Sequence, residues 1–283
     1  MIVAVCSEKG APGVTTLATV LSLVWPGEST ILEADPSGGD LTFRLRNATT
    51  PAQEFLQTEP SVFQLAADAR TGLLADDQLG RYAQPTTLGV QAIPAPLRPE
   101  RFNALRPVWP AVASRAAASR EVVVADLGRL QPGHTAWPIA KAATAVLLLA
   151  KPGPEGLYHL RERVAQLASQ LGEEGRTRNP VAVVMLAGAR QRNKVLESAE
   201  HILQAAGSPI PVVGWMAYDP AAVLLLRDTM SRSLRSSELL RSVRELTDNV
   251  RHLWPQLGGP GGGVVPMGRD RVSSPIDVRK SWP

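Results

Sequence analysis

A glycine-punctuated segment that ends in two threonines is the part of the sequence whose residue types point most directly to chemistry. Residues 6–16 read Cys-Ser-Glu-Lys-Gly-Ala-Pro-Gly-Val-Thr-Thr and follow an apolar run at 2–5. A buried strand, a glycine loop and a helix N-terminus together present backbone N–H groups and partial positive charge to phosphate. The first threonine of such a loop can reach a magnesium ion. The segment therefore predicts a phosphate-binding loop.

This loop departs from the pattern G-x-x-x-x-G-K-[ST] at two positions. Glu8 stands in place of the first glycine, and Val14 stands in place of the lysine. An isopropyl group cannot neutralise phosphate charge, which is much of what such a lysine contributes to affinity and rate. A lysine does occur five residues earlier, at Lys9.

Carboxylates follow two other apolar runs. Glu33 and Asp35 close the run at 30–34, and Asp126, followed by Gly128, closes the run at 121–126. Carboxylates at the carboxyl end of a strand beside a phosphate loop can orient a water molecule or hold the water shell of a metal. We therefore expect these side chains to meet residues 10–16.

The elements that must position these residues alternate along the chain. Apolar runs predict strands at 2–6, 30–34, 88–93, 121–126, 144–150, 181–186 and 210–216. Helical periodicity falls at 14–24, 99–118, 155–171, 191–206, 219–227 and 236–254, and Ser61–Arg70 is a further helical candidate. This alternation predicts an α/β fold, with a doubly wound, mostly parallel sheet of about seven strands and helices on both faces. We expect one domain at 1–256 and a flexible, glycine-rich tail at 257–283.

Three segments, in the right order, resemble the motifs of one family. The run from Lys9 to Thr16 resembles the deviant Walker A motif, K-G-G-x-G-K-T-T, of the ParA/MinD ATPases. The run at 30–40 resembles the D-x-D-P-Q-G-N segment of that family, with Glu33 in place of the first Asp, and 121–128 resembles its Walker B strand. The resemblance covers about residues 1–255.

The resemblance implies ATP and Mg²⁺ as ligands. In the family, the residue at Lys9 crosses a nucleotide-sandwich dimer to the ATP of the partner, and the residue at Asp35 positions the attacking water. The positions implied in cofactor binding are Gly10, Ala11, Pro12, Gly13, Val14, Thr15, Thr16, Asp219 and Pro220, with Thr15 and Asp126 at the metal. In the family, the proline-containing loop matched by Asp219 and Pro220 lies near the adenine base, and Ala187-Gly188 replaces the asparagine that the family usually carries there.

Two functions are compatible with these residues. The first is a ParA/MinD-like switch, with ATP-dependent dimerisation and slow or absent hydrolysis, in spatial organisation such as chromosome or plasmid partitioning or the positioning of a cell-envelope machine. The second is a pseudo-ATPase interaction platform of the CpaE/TadZ type, for pilus or secretion-system localisation. The substitutions at Val14 and Glu33 favour the second, whereas the retained Lys9, Thr15 and Asp126 favour the first. The metal-cluster carriers of the family are excluded because Cys6 is the only cysteine.

Charge and hydropathy bear on the partners. The 30 basic residues include only five lysines, and Arg190, Arg192 and Lys194 form a run without an intervening acid. The helix predicted at 236–254 places arginines opposite an apolar stripe. Non-specific DNA or a partner protein could contact these faces, although solvated helix surfaces explain them as well. No apolar run approaches the roughly 20 residues of a membrane helix, and we expect a cytoplasmic protein.

Overall fold

Strands and helices alternate through the described part of the chain, which in this computed structural model comprises residues 1–7, 13–50, 54–71, 79–172 and 179–258. The strands are β1 (Ile2–Ser7), β2 (Ser29–Glu33), β3 (Gln84–Pro85), β4 (Gln91–Ile93), β5 (Val122–Arg129), β6 (Ala145–Ala150), β7 (Val181–Ala187) and β8 (Val212–Ala217). The helices are α1 (Val14–Val24), α2 (Leu41–Arg44), α3 (Val62–Thr71), α4 (Pro99–Asn103), α5 (Trp109–Ala118), α6 (Trp137–Ala142), α7 (Pro154–Leu171), α8 (Arg192–Ala205), α9 (Pro220–Leu225), α10 (Arg232–Arg235) and α11 (Glu238–Leu253). Short 3₁₀ turns span Leu79–Tyr82, Ala189–Gln191 and Pro255–Gly258.

The strands form one sheet in the order β3-β4-β2-β5-β1-β6-β7-β8. Every pairing in it is parallel except that of β3 with β4. The predicted fold class is confirmed, and the described residues contain eight strands rather than about seven. The additional strand is β3, whose two residues lie at the sheet edge, where Pro85 can sit because no further strand needs its missing N–H group.

Two cores cover the two faces of the sheet. In β1, Ile2, Ala4 and Cys6 point into a core with α3, α5, α6, α7 and α8. Val3 and Val5 point into a second core, with α1, α9 and α11. Side chains alternate along a strand, so a strand that is apolar at every position is buried on both faces. The central strands are therefore covered on both faces. Because they are parallel, their carboxyl ends lie at the same edge of the sheet.

The structure differs from the prediction at two boundaries and adds a helix. The predicted helix at 99–118 is two helices, α4 and α5, because Pro107 lies in the turn between them and Pro110 is tolerated only in the first turn of α5. Helix α6 was not predicted. Leu257 is buried in the last 3₁₀ turn, so the folded chain runs two residues past the predicted boundary at 256. The remainder of the predicted tail, 259–283, lies outside the described residues.

The apolar stripe predicted on the last helix is present in α11. Leu239, Val243, Leu246 and Val250 are buried, and Arg241 and Arg244 are exposed. Within the described ranges, no helix has both the length and the apolar content that spanning a membrane requires.

Candidate functional site

Asp126 lies toward the edge of the sheet where the carboxyl ends of the parallel strands meet, and its strand, β5, is near the middle of the strand order. It is in register with Val5 of β1 on one side and with Glu33 of β2 on the other. Its side chain is fully buried, and Oδ1 accepts a hydrogen bond from the N–H of Gly128 at 3.0 Å. Oδ2 has no hydrogen-bond partner among the described residues. An unpartnered buried carboxylate oxygen is costly, and a metal with its water shell is a group that could satisfy it.

The electrostatics of Asp126 show which predicted residues surround it. Burial raises the pKa of Asp126 to about 6, and the negative charge of Asp35 adds to this rise. The hydroxyl of Thr15, the N–H of Gly128 and the positive charge of Arg44 oppose it. Thr15, Asp35 and Asp126, which the sequence places in three separate segments, therefore lie in one site.

Asp35 packs directly against Gly128. A Cβ atom added to Gly128 would lie 2.0 Å from Oδ2 of Asp35, so only glycine leaves room for this carboxylate. Gly128 also has a φ of +56°, in the left-handed region that favours glycine. Oδ1 of Asp35 accepts a hydrogen bond from the N–H of Ser37 at 2.8 Å, which fixes the other side of the carboxylate.

Glu33, the acid that stands in place of the family's first Asp, uses both of its oxygens to hold the backbone. Oε1 accepts from the N–H groups of Asp40 at 2.7 Å and Leu41 at 2.9 Å, and Oε2 accepts from that of Ala95 at 2.8 Å. Burial raises the pKa of Glu33 to about 8 against the opposing effect of these three bonds. We expected Glu33 and Asp35 to act as a carboxylate pair, but Glu33 anchors the loop at 34–40 instead.

The described part of the predicted phosphate loop begins at Gly13. The preceding loop positions, Lys9, Gly10, Ala11 and Pro12, lie outside the described residues. Gly13 has a φ of +112° and accepts a hydrogen bond from the N–H of Leu17 at 2.7 Å, which begins α1. The side chain of Val14 is 6% exposed and packs in the core shared with α11. Its backbone N–H is thus the part of Val14 that is suited to a phosphate contact.

A cavity of about 480 Å³, partly open to solvent, adjoins Gly13 and Thr16. It is lined by Gly13, Thr16, Arg44, Leu186, Met216, Ala217, Tyr218, Asp219, Pro220, Val223, Leu224 and Leu239. Thr16, Arg44, Tyr218 and Asp219 contribute polar groups to the lining, and the remaining wall is apolar. A pocket of this size with a few convergent polar groups is typical of small-molecule sites.

Asp219 and Pro220, the residues predicted near the base, line this same cavity. Oδ1 of Asp219 accepts a hydrogen bond from the N–H of Ala222 at 3.1 Å and caps α9, whose first residue is Pro220. The carboxylate therefore fixes the helix that forms one wall. The structure thus brings the predicted base-side residues and the described loop residues to one cavity.

Two further residues of the cavity could not be predicted from the sequence. Met216 lies so close to Gly13 that a Cβ atom there would be 2.8 Å from its Cε. Arg44 lines the cavity from α2. Neither belongs to a recognisable motif, and only the packing of α1, α2 and β8 brings them to the start of the phosphate loop.

Comparison with known proteins supports the fold. No family model matches the sequence, and no curated protein matches it. Among solved structures, the chain is similar to the cell division ATPase MinD of Pyrococcus furiosus, with a TM-score of 0.65 and 16% identity over 89% of this chain and 98% of that one. MinD of Pyrococcus horikoshii, solved with Mg-ADP, has a TM-score of 0.64 and 17% identity over 89% and 96%. A ParA family ATPase from Chlorobium tepidum has a TM-score of 0.59 and 16% identity over 87% and 98%. The chain therefore shares the fold of the ParA/MinD ATPases.

Proposed function

We propose that this chain binds ATP with Mg²⁺ at the carboxyl edge of its sheet and acts as a nucleotide-dependent switch of the ParA/MinD type. One observation carries the proposal. The cavity joins Gly13 and Thr16 to the base-side residues Asp219 and Pro220, and a buried, unpartnered oxygen of Asp126 lies near Thr15, next to Thr16. The fold that the chain shares with a Mg-ADP complex of MinD supports the same ligand.

Each residue has a task that its position allows. The backbone N–H groups of residues 10–16 and the N-terminus of α1 would contact phosphate oxygens. Thr15 and Asp126 would hold Mg²⁺, directly and through water, and the ion when bound would neutralise charge on those oxygens. Asp35, fixed by Gly128 and Ser37, would orient a water molecule for hydrolysis. Hydrolysis is slow or absent because Val14 is packed in the core and offers no charge.

The assembly we propose is a homodimer closed by ATP, in which Lys9 contacts the nucleotide of the partner subunit. In the cytoplasm the dimer would bind non-specific DNA or a partner protein and take part in partitioning or in positioning a cell-envelope machine. A pseudo-ATPase platform of the CpaE/TadZ type is the second candidate. The burial of Val14 favours this second function, because the side chain is part of the core and leaves no charged group at the position where the family carries its phosphate-binding lysine.

Calorimetry tests ligand binding. We expect Mg-ATP to bind the full chain, and Thr15→Val or Asp126→Asn to weaken that binding about ten- to a hundredfold, the effect of losing a charge-assisted contact. Thr247→Val is the matched control, since it removes a buried hydroxyl from α11 that donates to the carbonyl of Val243. Absence of ATP binding, or equal losses in site and control variants, would contradict the proposal.

Light scattering tests assembly. We expect Mg-ATP, but not Mg-ADP, to shift the chain from monomer to dimer, and Lys9→Ala to abolish that shift while ATP still binds. A dimer that forms equally without nucleotide, with ADP and with ATP would favour the platform function instead.

A further inference from the structure

Arg44 stands where two cavities meet beside the start of α1. The larger cavity is lined by Gly13, Thr16 and Arg44, among others, and Arg44 also lines a smaller neighbour that includes Thr15, Thr16 and Thr19. Arg227 lines the smaller cavity only, so Arg44 is the arginine that both cavities share. Among the described residues that line the larger cavity, Arg44 is the only cation. Its side chain is 41% exposed, so the guanidinium is both positioned by the fold and open to a ligand.

The buried carboxylate of Glu33 determines where Arg44 lies. Its Oε1 accepts from the N–H groups of Asp40 and Leu41, which fixes the first turn of α2 against the end of β2. Arg44 follows Asp40 by four residues, and its Nη2 donates to Oδ2 of Asp40 at 3.0 Å. Asp40 and Arg44 are four residues apart and lie on one face of the helix. Because Glu33 holds the N–H groups of Asp40 and Leu41, it also helps to orient Arg44.

The chemistry of the site requires a cation that the loop does not supply at position 14. Val14 is in the core, and the acidic side chains Asp35 and Asp126 would repel a phosphate chain. We propose that Arg44 binds the phosphate chain of the nucleotide in place of the lysine that Val14 replaces. This inference rests on the proposed function and deepens it.

The geometry and chemistry of Arg44 suit that task. A guanidinium presents five N–H donors in a planar fork that matches phosphate oxygens. The ion pair with Asp40 is largely exposed, with Asp40 at 63%, so it contributes little and can exchange for phosphate. The positive charge of Arg44 already acts on the carboxylate of Asp126, which places it within electrostatic range of the metal position.

Nucleotide titrations of Arg44→Gln test the assignment. We expect ATP affinity to fall about ten- to a hundredfold, and the affinity for adenosine, which has no phosphate, to stay unchanged. Arg161→Gln is the matched control. Arg161 forms a similar local ion pair with Glu162, at 44% and 60% exposure, but it lies on α7, on the other face of the sheet.

Two further variants keep the test decisive. Arg44→Lys should retain part of the ATP affinity, since it keeps the charge and loses the fork. Val14→Lys should add little to the unsubstituted chain but restore ATP binding in Arg44→Gln, if circular dichroism shows that the buried substitution still folds. Equal ATP affinities in Arg44→Gln and Arg161→Gln, or an equal loss for ATP and adenosine, would overturn the inference. Failure of the unsubstituted chain to bind ATP would instead overturn the proposed function.

Discussion

Replacing Gly128 with alanine tests whether the fold holds Asp35 in its position. A Cβ atom at Gly128 would lie 2.0 Å from Oδ2 of Asp35, whereas ordinary contact begins at 3.4 Å. The carboxylate would therefore have to move by about 1.4 Å, and it is the same carboxylate that accepts a hydrogen bond from the N–H of Ser37 through Oδ1. The φ of +56° at Gly128 adds backbone strain, because a Cβ atom in the left-handed region approaches the following carbonyl oxygen.

The two contributions can be separated with Gly207. Gly207 has a φ of +65°, and a Cβ atom there would have nothing within 4 Å. We expect Gly207→Ala to cost only the strain, about 1–2 kcal/mol of the free energy of unfolding. Gly128→Ala should cost this strain and, in addition, about 1–3 kcal/mol for the displaced carboxylate, a typical cost of overpacking.

Urea unfolding of both variants, and of each combined with Asp35→Ala, measures the difference. We expect Gly128→Ala to be less stable than Gly207→Ala by about 1–3 kcal/mol, and Asp35→Ala to recover that difference only in the Gly128→Ala background. In thermal scans each kcal/mol corresponds to about 2–4 °C for a chain of this size. Equal destabilisation by the two alanines, or no coupling between positions 35 and 128, would refute the packing of Asp35 on Gly128.

The raised pKa values of three buried groups, Glu33, Asp126 and Cys6, lead to one prediction each. Because the pKa of Glu33 rises from 4.5 to about 8, the folded state binds an extra proton between these values. The free energy of unfolding should thus fall as pH rises through that window, and urea unfolding of Glu33→Gln should show a smaller slope. Because the pKa of Asp126 is about 6, calorimetric Mg-ATP affinity should fall as pH drops through 6, and Asp126→Asn should make that dependence smaller, leaving the part that comes from titration of the phosphate itself. Cys6 is fully buried, which raises its pKa to about 12, so Ellman's reagent should label it only after unfolding.

The sheet could be predicted from the sequence because its central strands are buried on both faces. β1, β6 and β7 are apolar at almost every position, and such runs indicate parallel strands without further information. The location of the site could be predicted for the same reason, because the carboxyl ends of parallel strands lie at one edge of the sheet. Asp35 and Asp126 were therefore expected near Thr15, and the structure places them there.

The residues that long-range packing positions could not be predicted. Glu33 has a partner 62 positions away, the N–H of Ala95, and no local pattern indicates that bond. The sequence around Arg44 does not distinguish it from other arginines in short helices. Its place beside α1 and α9 becomes visible only in the folded structure. Helix α6 escaped prediction because six residues that include Pro138 give too short a periodic pattern.

Glu33 and Asp126 show how two buried acids on neighbouring strands can take different structural roles. The two acids are directly in register on neighbouring strands, both are buried, and the charge of Asp126 adds to the rise in the pKa of Glu33. Both oxygens of Glu33 accept hydrogen bonds from backbone N–H groups. In Asp126 only Oδ1 does so, and Oδ2 has no partner among the described residues. The longer side chain thus holds the loop that carries Asp35 and the first turn of α2, the helix that carries Arg44, and the shorter one faces Thr15. In the function proposed for this chain, Glu33 positions the site without contacting the ligand, and the cation that Val14 does not provide comes from α2, the helix that Glu33 holds.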